Sequence, residues 1–199
     1  MNSSERPLVI ENFLTVSKER QLLEPIDGFQ DSSKVSKYIY NRDNTRRVQI
    51  SGPYHDMHYK MIPGKVSQHE DYIVDLSKRI RDKILPLFPN GSSKYDSWGT
   101  SDKMEVYINE FLPGSSLAPH FDHRTTYEDI IVGISLSSDS KITFTKGLIK
   151  QKIDLPRRSL YVMFGPSRNI WKHSIDKMDV LARRISITFR TIADTAHKS

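Results

Sequence analysis

The chain has seven histidines and no cysteine, and this sets the first limit on its chemistry. Without thiolates there can be no disulfide, iron–sulfur cluster or cysteine nucleophile, so any bound metal must be held by His, Asp and Glu. Two His and one carboxylate form the facial triad that holds Fe(II) and leaves three positions open. His-x-Asp occurs twice, as His69-Glu70-Asp71 and His120-Phe121-Asp122. So short a pattern arises about once by chance in a chain with this many histidines, and geometry must choose. On a helix, residues i and i+2 point about 200° apart, and His69 and Asp71 fall in the first turns of the clearest helical pattern. They read as surface residues. On a strand, i and i+2 share a face, and His120 and Asp122 follow the Pro113-Gly114 turn and the extended Ser116-Leu117-Ala118. The third candidate ligand is His173, several strands later in Asn169-Ile170-Trp171-Lys172-His173. A lone His beside a Trp is more often packing than ligand, but in a jelly roll the return of the chain can bring His173 to the first pair.

A second pattern lies downstream. In Arg184-Ile185-Ser186-Ile187-Thr188-Phe189-Arg190 the apolar residues form one face, and Arg184, Ser186, Thr188 and Arg190 the other. The apolar face is core. The two guanidiniums lie about 20 Å apart along a fully extended strand, so they reach one dianion only if one bends inward. Alternation alone equally allows an outer, solvated face.

The elements that must position these residues follow from periodicity. Ser17 caps a short helix, Lys18 to about Glu24, that Pro25 stops. Arg47–Ile50 reads as a short strand. Ser67 and Glu70 form a capping box before Ile73, Leu76, Ile80 and Ile84, which recur at helical spacing until Pro86. From residue 106 on, β-branched and aromatic runs are separated by turns: 106–111, 130–137, 141–145, 148–153, 160–164 and 185–192. The predicted fold is α+β, a sandwich or barrel of short strands buttressed by N-terminal helices. Residues 1–199 form a single domain, with about 1–100 as helical support and 101–192 as the strand-rich core. Residues 193–199 are a flexible tail.

Composition bounds the setting. The chain has 199 residues, 30 Lys and Arg against 24 Asp and Glu, and a formal net charge of +6. The excess is spread over both halves, with 15 basic and 13 acidic side chains before residue 101 and 15 and 11 after it. The densest patch is Lys141, Lys146, Lys150, Lys152, Arg157 and Arg158, which either faces phosphates or is a solvated edge strand. No apolar run is long enough for a membrane span, and Glu5 and Arg6 interrupt the place of a secretory signal, so a cytoplasmic or nuclear location is expected.

Six ordered segments carry a family resemblance. They are Val106-Tyr107-Ile108-Asn109-Glu110-Phe111-Leu112-Pro113-Gly114, His120-Phe121-Asp122, Ile134-Ser135-Leu136, Leu155-Pro156-Arg157-Arg158-Ser159-Leu160-Tyr161-Val162-Met163, Trp171-Lys172-His173, and the strand from Arg184 to Arg190. Together they resemble the AlkB family of Fe(II)- and 2-oxoglutarate-dependent dioxygenases, and most of all its branch that hydroxylates modified wobble uridines in tRNA. The resemblance implies a double-stranded β-helix (jelly roll), with Fe(II) on His120, Asp122 and His173. It implies that Arg184 and Arg190 pair with the carboxylates of 2-oxoglutarate, that Asn109 and Ser186 hydrogen-bond it, and that O2 is the oxidant. One departure stands out: the family usually has Tyr where this chain has Phe111. The missing hydroxyl removes one hydrogen bond, and Tyr107, on the same strand face as Asn109, is the expected substitute.

The resemblance also implies a lid over the site, here about Arg42 to Lys60. Arg46, Arg47, Tyr54, His58 and Tyr59 in it, with His123 and Arg124 beyond the metal pair, suit stacking on a flipped base with phosphate contacts. An ordinary polar loop fits the same residues. The expected substrate is a modified nucleobase in RNA, above all tRNA, with protein side chains or alkylated DNA as the alternative. A non-catalytic binding module of the same fold is a third reading, and the intact triad and arginines argue against it. Relatives in the tRNA branch carry RNA-recognition and methyltransferase domains, so a monomer of this length would work with a separate RNA-binding or methyltransferase partner.

Overall fold

A computed structural model of the protein describes residues 1–28, 39–40, 45–55, 61–88, 98–99 and 102–193, with the backbone alone at 39–40, 54–55 and 61–67. The strands are β1 (Leu8–Ile10), β2 (Ile39–Tyr40), β3 (Arg46–His55), β4 (Met61–Ser67), β5 (Met104–Phe111), β6 (Leu117–His120), β7 (Tyr127–Leu136), β8 (Ser140–Lys146), β9 (Ile149–Leu155), β10 (Leu160–Met163), β11 (Lys172–Ile175) and β12 (Arg184–Ile192). The helices are α1 (Val16–Gly28), α2 (Asp71–Ile84) and the short α3 (Gly165–Asn169). One sheet runs β1-β10-β7-β12-β5-β3-β2, with β4 added on β3; the other runs β6-β11-β8-β9.

The alternation in β12 explains the layering. Ile185, Ile187 and Phe189 are fully buried in a cluster with Leu22 and Ile26 of α1 and Ile73, Leu76 and Ile80 of α2, so the helices cover one face of the large sheet. A second cluster, including Ile131, Ile142, Phe144, Met163, Trp171 and Ile175, fills the space between the two sheets. All nine residues of β12 are buried, because both faces of the strand are covered. Arg184, Ser186, Thr188 and Arg190 therefore point into the interior, and the solvated-face alternative is excluded. This is the expected jelly roll with buttressing helices.

The helix boundaries differ from expectation. α1 begins two residues earlier than predicted, with the Thr15 hydroxyl, not Ser17, accepting from the Lys18 amide at 3.1 Å. It also runs through Pro25. Leu22 and Ile26, each 1% exposed, flank the proline, and their burial against the sheet outweighs the lost backbone hydrogen bond.

The capping box at Ser67 does not form. Ser67 ends β4, and α2 starts at Asp71 with Glu70 as its N-cap. His69 thus precedes the helix. Its Nε2 meets the Met104 carbonyl at 3.0 Å and must donate, so Nδ1 accepts from the Ser51 hydroxyl at 2.8 Å. His69 is half-buried and ties β3 to β5, which corrects its reading as a surface residue. Gly52, at φ 98°, permits the approach: a Cβ there would lie 2.1 Å from the Met104 oxygen.

A buried carboxylate fixes α1 to the sheet. Glu19 is fully buried, accepts from the Ser137 amide at 2.9 Å, and receives the Arg157 Nε at 2.7 and 2.8 Å. Charged hydrogen bonds of this kind contribute about 1.5–3 kcal/mol each, less where, as with Arg157, one side is in water. Glu19→Ala should lower unfolding stability by about 3 kcal/mol, read as a lower urea midpoint at unchanged slope.

Candidate metal and cosubstrate site

His120 and His173 meet because β6 and β11 are antiparallel neighbours in which these two residues are register partners. Their ring centroids are 4.3 Å apart. Asp122 follows β6 by two residues, and ligand atoms of all three side chains lie within 4.8 Å of one another. This is the one group of its kind among the described residues.

The protonation pattern suits a cation. His120 Nδ1 lies 2.8 Å from the Ala118 carbonyl and donates to it, which leaves the lone pair on Nε2. Burial pushes the His173 imidazole down to about 4, against the pull of Asp122, so it is neutral at pH 7. Burial alone would raise the Asp122 carboxyl, but Arg190 first, then His173, His120 and Arg168, hold it well below the usual carboxylate range. Asp122 Oδ1 accepts from Arg190 Nε at 2.8 Å. Asp122 Oδ2 is buried without a hydrogen-bond partner, 3.6 Å from His173 Nε2. An ionised oxygen left without a donor beside two imidazoles fits Fe(II).

Arg168 was not legible in the sequence as a site residue. It is 2% exposed on α3 and donates from Nη1 to the Asp122 carbonyl at 2.8 Å and from Nη2 to the His123 carbonyl at 2.9 Å. The guanidinium thus ties the segment before His173 to the loop carrying Asp122. Its only sequence signal was a basic residue a few positions before the candidate ligand.

Behind the triad is a cavity of about 220 Å³ between the two sheets. Tyr107, Asn109, Arg184, Ser186 and Arg190 all line it. The two arginines differ in their surroundings. Arg190 pairs with Asp122, lies 3.9 Å from Glu105, and stacks on Tyr107 with its Cζ 4.6 Å from the ring centre. Arg184 is 1% exposed and faces no carboxylate among the described residues; its contacts are Ser135 Oγ at 3.4 Å, the Phe111 ring and Tyr161. Its Nη2 is buried without a hydrogen-bond partner. A desolvated guanidinium in that condition calls for an anion, and a small dicarboxylate fits the cavity.

The expected substrate residues separate. Arg46 and His123 line the cavity. Arg47, one residue along β3, does not; it ion-pairs with Glu110, because neighbours on a strand face opposite sides. Arg124 is exposed and stacks on Phe121, which does line the cavity, at 4.0 Å from the ring centre. Of Tyr54 only the backbone is described, and His58, Tyr59 and residues 194–199 lie outside the described residues. In the basic patch, Lys141 pairs with Asp154, Lys152 with Asp179 and Arg157 with Glu19, and β9 is a sheet edge, which favours the solvated-edge reading.

The family model of the 2OG-Fe(II) oxygenase superfamily matches residues 7–190. The chain belongs to this superfamily. As a 2OG-Fe(II) oxygenase it is an oxidoreductase that uses Fe(II), 2-oxoglutarate and O2, and the His120, Asp122 and His173 donor set fits that metal. Its relatives are of AlkB type at modest identity. Uncharacterized protein L905 of Acanthamoeba polyphaga mimivirus is 31% identical over 199 residues, covering 92% of this chain and 83% of its own. The tRNA (carboxymethyluridine(34)-5-O)-methyltransferase ALKBH8 of Macaca fascicularis is 28% identical over 177 residues, which are 84% of this chain. The match covers 24% of that relative, so the chain spans about a quarter of its length. A DNA N6-methyl adenine demethylase of Caenorhabditis elegans is 26% identical, covering 93% of this chain and 59% of its own. Among solved structures, OsALKBH1 superposes with a TM-score of 0.68 at 16% identity, covering 94% of this chain and 97% of its own, which supports the fold. Among the described residues no helix is long and apolar enough to cross a membrane.

Proposed function

We propose that this AlkB-type oxygenase oxidises a modified nucleobase in RNA, with tRNA as its substrate, using Fe(II) on His120, Asp122 and His173. In this reading Arg184 takes the distal carboxylate of 2-oxoglutarate, helped by Ser186, with Asn109 and Arg190 along the rest of the molecule. The two sheets and their helices act as one catalytic domain.

When bound, Fe(II) and 2-oxoglutarate couple cosubstrate decarboxylation and O2 to hydroxylation of a substrate C–H, releasing succinate and CO2. The chain's own residues prepare that step. Arg190 keeps Asp122 ionised and aimed, Arg168 fixes the loop, and Ile142, Met163 and Ile175 give the cavity an apolar wall. A hydroxylated N-methyl group breaks down to formaldehyde and a free amine, whereas a hydroxylated side-chain methylene persists. Which group is presented decides the outcome.

The observation that supports a nucleic-acid substrate is the rim of the cavity. Phe121 lies between the two ligand positions with Arg124 over its ring and Lys172 Nζ 5.9 Å from the ring centre. An aromatic face bordered by cations offers stacking for a base and charge for phosphates. The relative named as a tRNA methyltransferase favours RNA.

The test is mass spectrometry of nucleosides from tRNA incubated with the Fe(II)-loaded protein and 2-oxoglutarate. One modified nucleoside should gain an oxygen atom or lose a methyl group. An unchanged tRNA profile while succinate accumulates would reject tRNA, and a loss of methyladenine from DNA in parallel would move the substrate to DNA.

A further inference from the structure

Phe111 lines the cavity without the hydroxyl that the family resemblance places at this position. Tyr107 lies too far along the strand to reach the same spot. Along the β5–β12 ladder Phe111 pairs with Arg184, whereas Tyr107 pairs with Thr188. Four residues of strand, about 13 Å, separate the two positions. The Tyr107 ring is stacked under Arg190, at the other end of the strand.

A different hydroxyl reaches the Arg184 end. Tyr161 lies on β10, which is separated from β12 by β7, and its register partner on β7 is Gly133. Residues paired across a ladder share a face, so a side chain at 133 would stand between Tyr161 and β12. Gly133 has none. A Cβ there would fall 2.0 Å from Tyr161 Cζ and 2.3 Å from its hydroxyl oxygen, so the phenol lies directly across the glycine. The Gly133 backbone does not have a positive φ, so the glycine serves space and not conformation. A glycine inside a central strand is otherwise unfavourable, and commonly marks a close approach.

The bridge delivers the hydroxyl to the pocket. Tyr161 is 5% exposed and lines the cavity. Its oxygen lies 3.5 Å from Ser186 Oγ and adjoins the Arg184 guanidinium, whose Nη2 has no hydrogen-bond partner. Ser186, Arg184 and Tyr161 thus converge on one spot from two strands.

We propose that Tyr161 is a 2-oxoglutarate-binding residue whose hydroxyl, laid across Gly133, donates to the distal carboxylate at Arg184 and replaces the hydrogen bond that Phe111 cannot make. The inference rests on the reading that Arg184 takes that carboxylate. Tyr161→Phe keeps the ring and removes only the donor. Anaerobic titration of the Fe(II) protein, followed by the visible charge-transfer band of the metal-bound keto acid, should show 2-oxoglutarate binding weakened about tenfold, at unchanged Fe(II) affinity. 2-Oxopentanoate, which has the keto acid but no distal carboxylate, should bind the wild type and the variant alike. Adding Phe111→Tyr to Tyr161→Phe should restore 2-oxoglutarate affinity. Equal 2-oxoglutarate affinity in wild type and Tyr161→Phe overturns the inference, as does equal weakening toward both keto acids. A wild type that prefers 2-oxoglutarate no more than 2-oxopentanoate would instead refute the Arg184 reading beneath it.

Discussion

Asp122→Ala should abolish Fe(II) binding, and Asp71→Ala should leave it at the wild-type level. The first change removes one of three donors from a site with no spare carboxylate among the described residues, since the ligand atoms within 4.8 Å are those of His120, Asp122 and His173. It also strips Arg190 of its nearest counterion, leaving a guanidinium only 9% exposed with Glu105 at 3.9 Å as its remaining acid. Breaking a buried pair from one side typically costs about 3–5 kcal/mol. The metal-free variant should therefore unfold earlier than the metal-free wild type, by a similar amount. Asp71 is an exposed first residue of α2 with neither role. Isothermal titration with Fe(II) under argon, paired with urea unfolding, reads both quantities. Equal metal loss in the two variants would overturn the assignment of the triad.

Arg184→Met should act on function and stability in opposite directions. The guanidinium is buried without a carboxylate among the described residues, so its desolvation is poorly offset until an anion arrives, and burial lowers its proton affinity. An apolar side chain of similar length removes that cost, and the ligand-free protein should gain about 1 kcal/mol of stability. Cosubstrate binding should weaken by about 100-fold or more, the usual effect of truncating one side of a buried charge pair. Thermal unfolding with and without 2-oxoglutarate separates the two effects. The wild type should be stabilised by the cosubstrate and the variant should not. A variant that is less stable without ligand yet binds normally would show that Arg184 is a packing residue.

The sequence exposed the parts of the site that obey a local period. Choosing His120-Phe121-Asp122 over His69-Glu70-Asp71 required only the difference between strand and helix spacing, and the face of β12 that carries Arg184 and Arg190 was visible in strict alternation. That both faces of β12 are covered was not visible, because a covering sheet is a long-range fact. The N-terminal helix ends were misread for a similar reason, as burial of Leu22 and Ile26 carried α1 through Pro25. His69 was assigned to α2 by a capping pattern that the chain uses instead to end β4. Tyr161 was hidden most thoroughly. Leu160-Tyr161-Val162-Met163 reads as an ordinary buried run, and its meaning depends on a glycine 28 positions earlier, brought opposite by the ladder.

The candidate ligands and the cosubstrate side chains also come from different sheets. His120 and His173 belong to the four-stranded sheet, whereas Arg184, Ser186, Arg190 and Asn109 belong to the larger one. Within the smaller sheet His120 sits on one of the two edge strands, β6, which has four residues, none fully buried, and an irregular register against β11. Such an edge opens at a small fraction of the cost of global unfolding. Fraying of that one strand would displace the candidate ligand His120 while the large sheet, its helices and the cavity residues they carry stay in place.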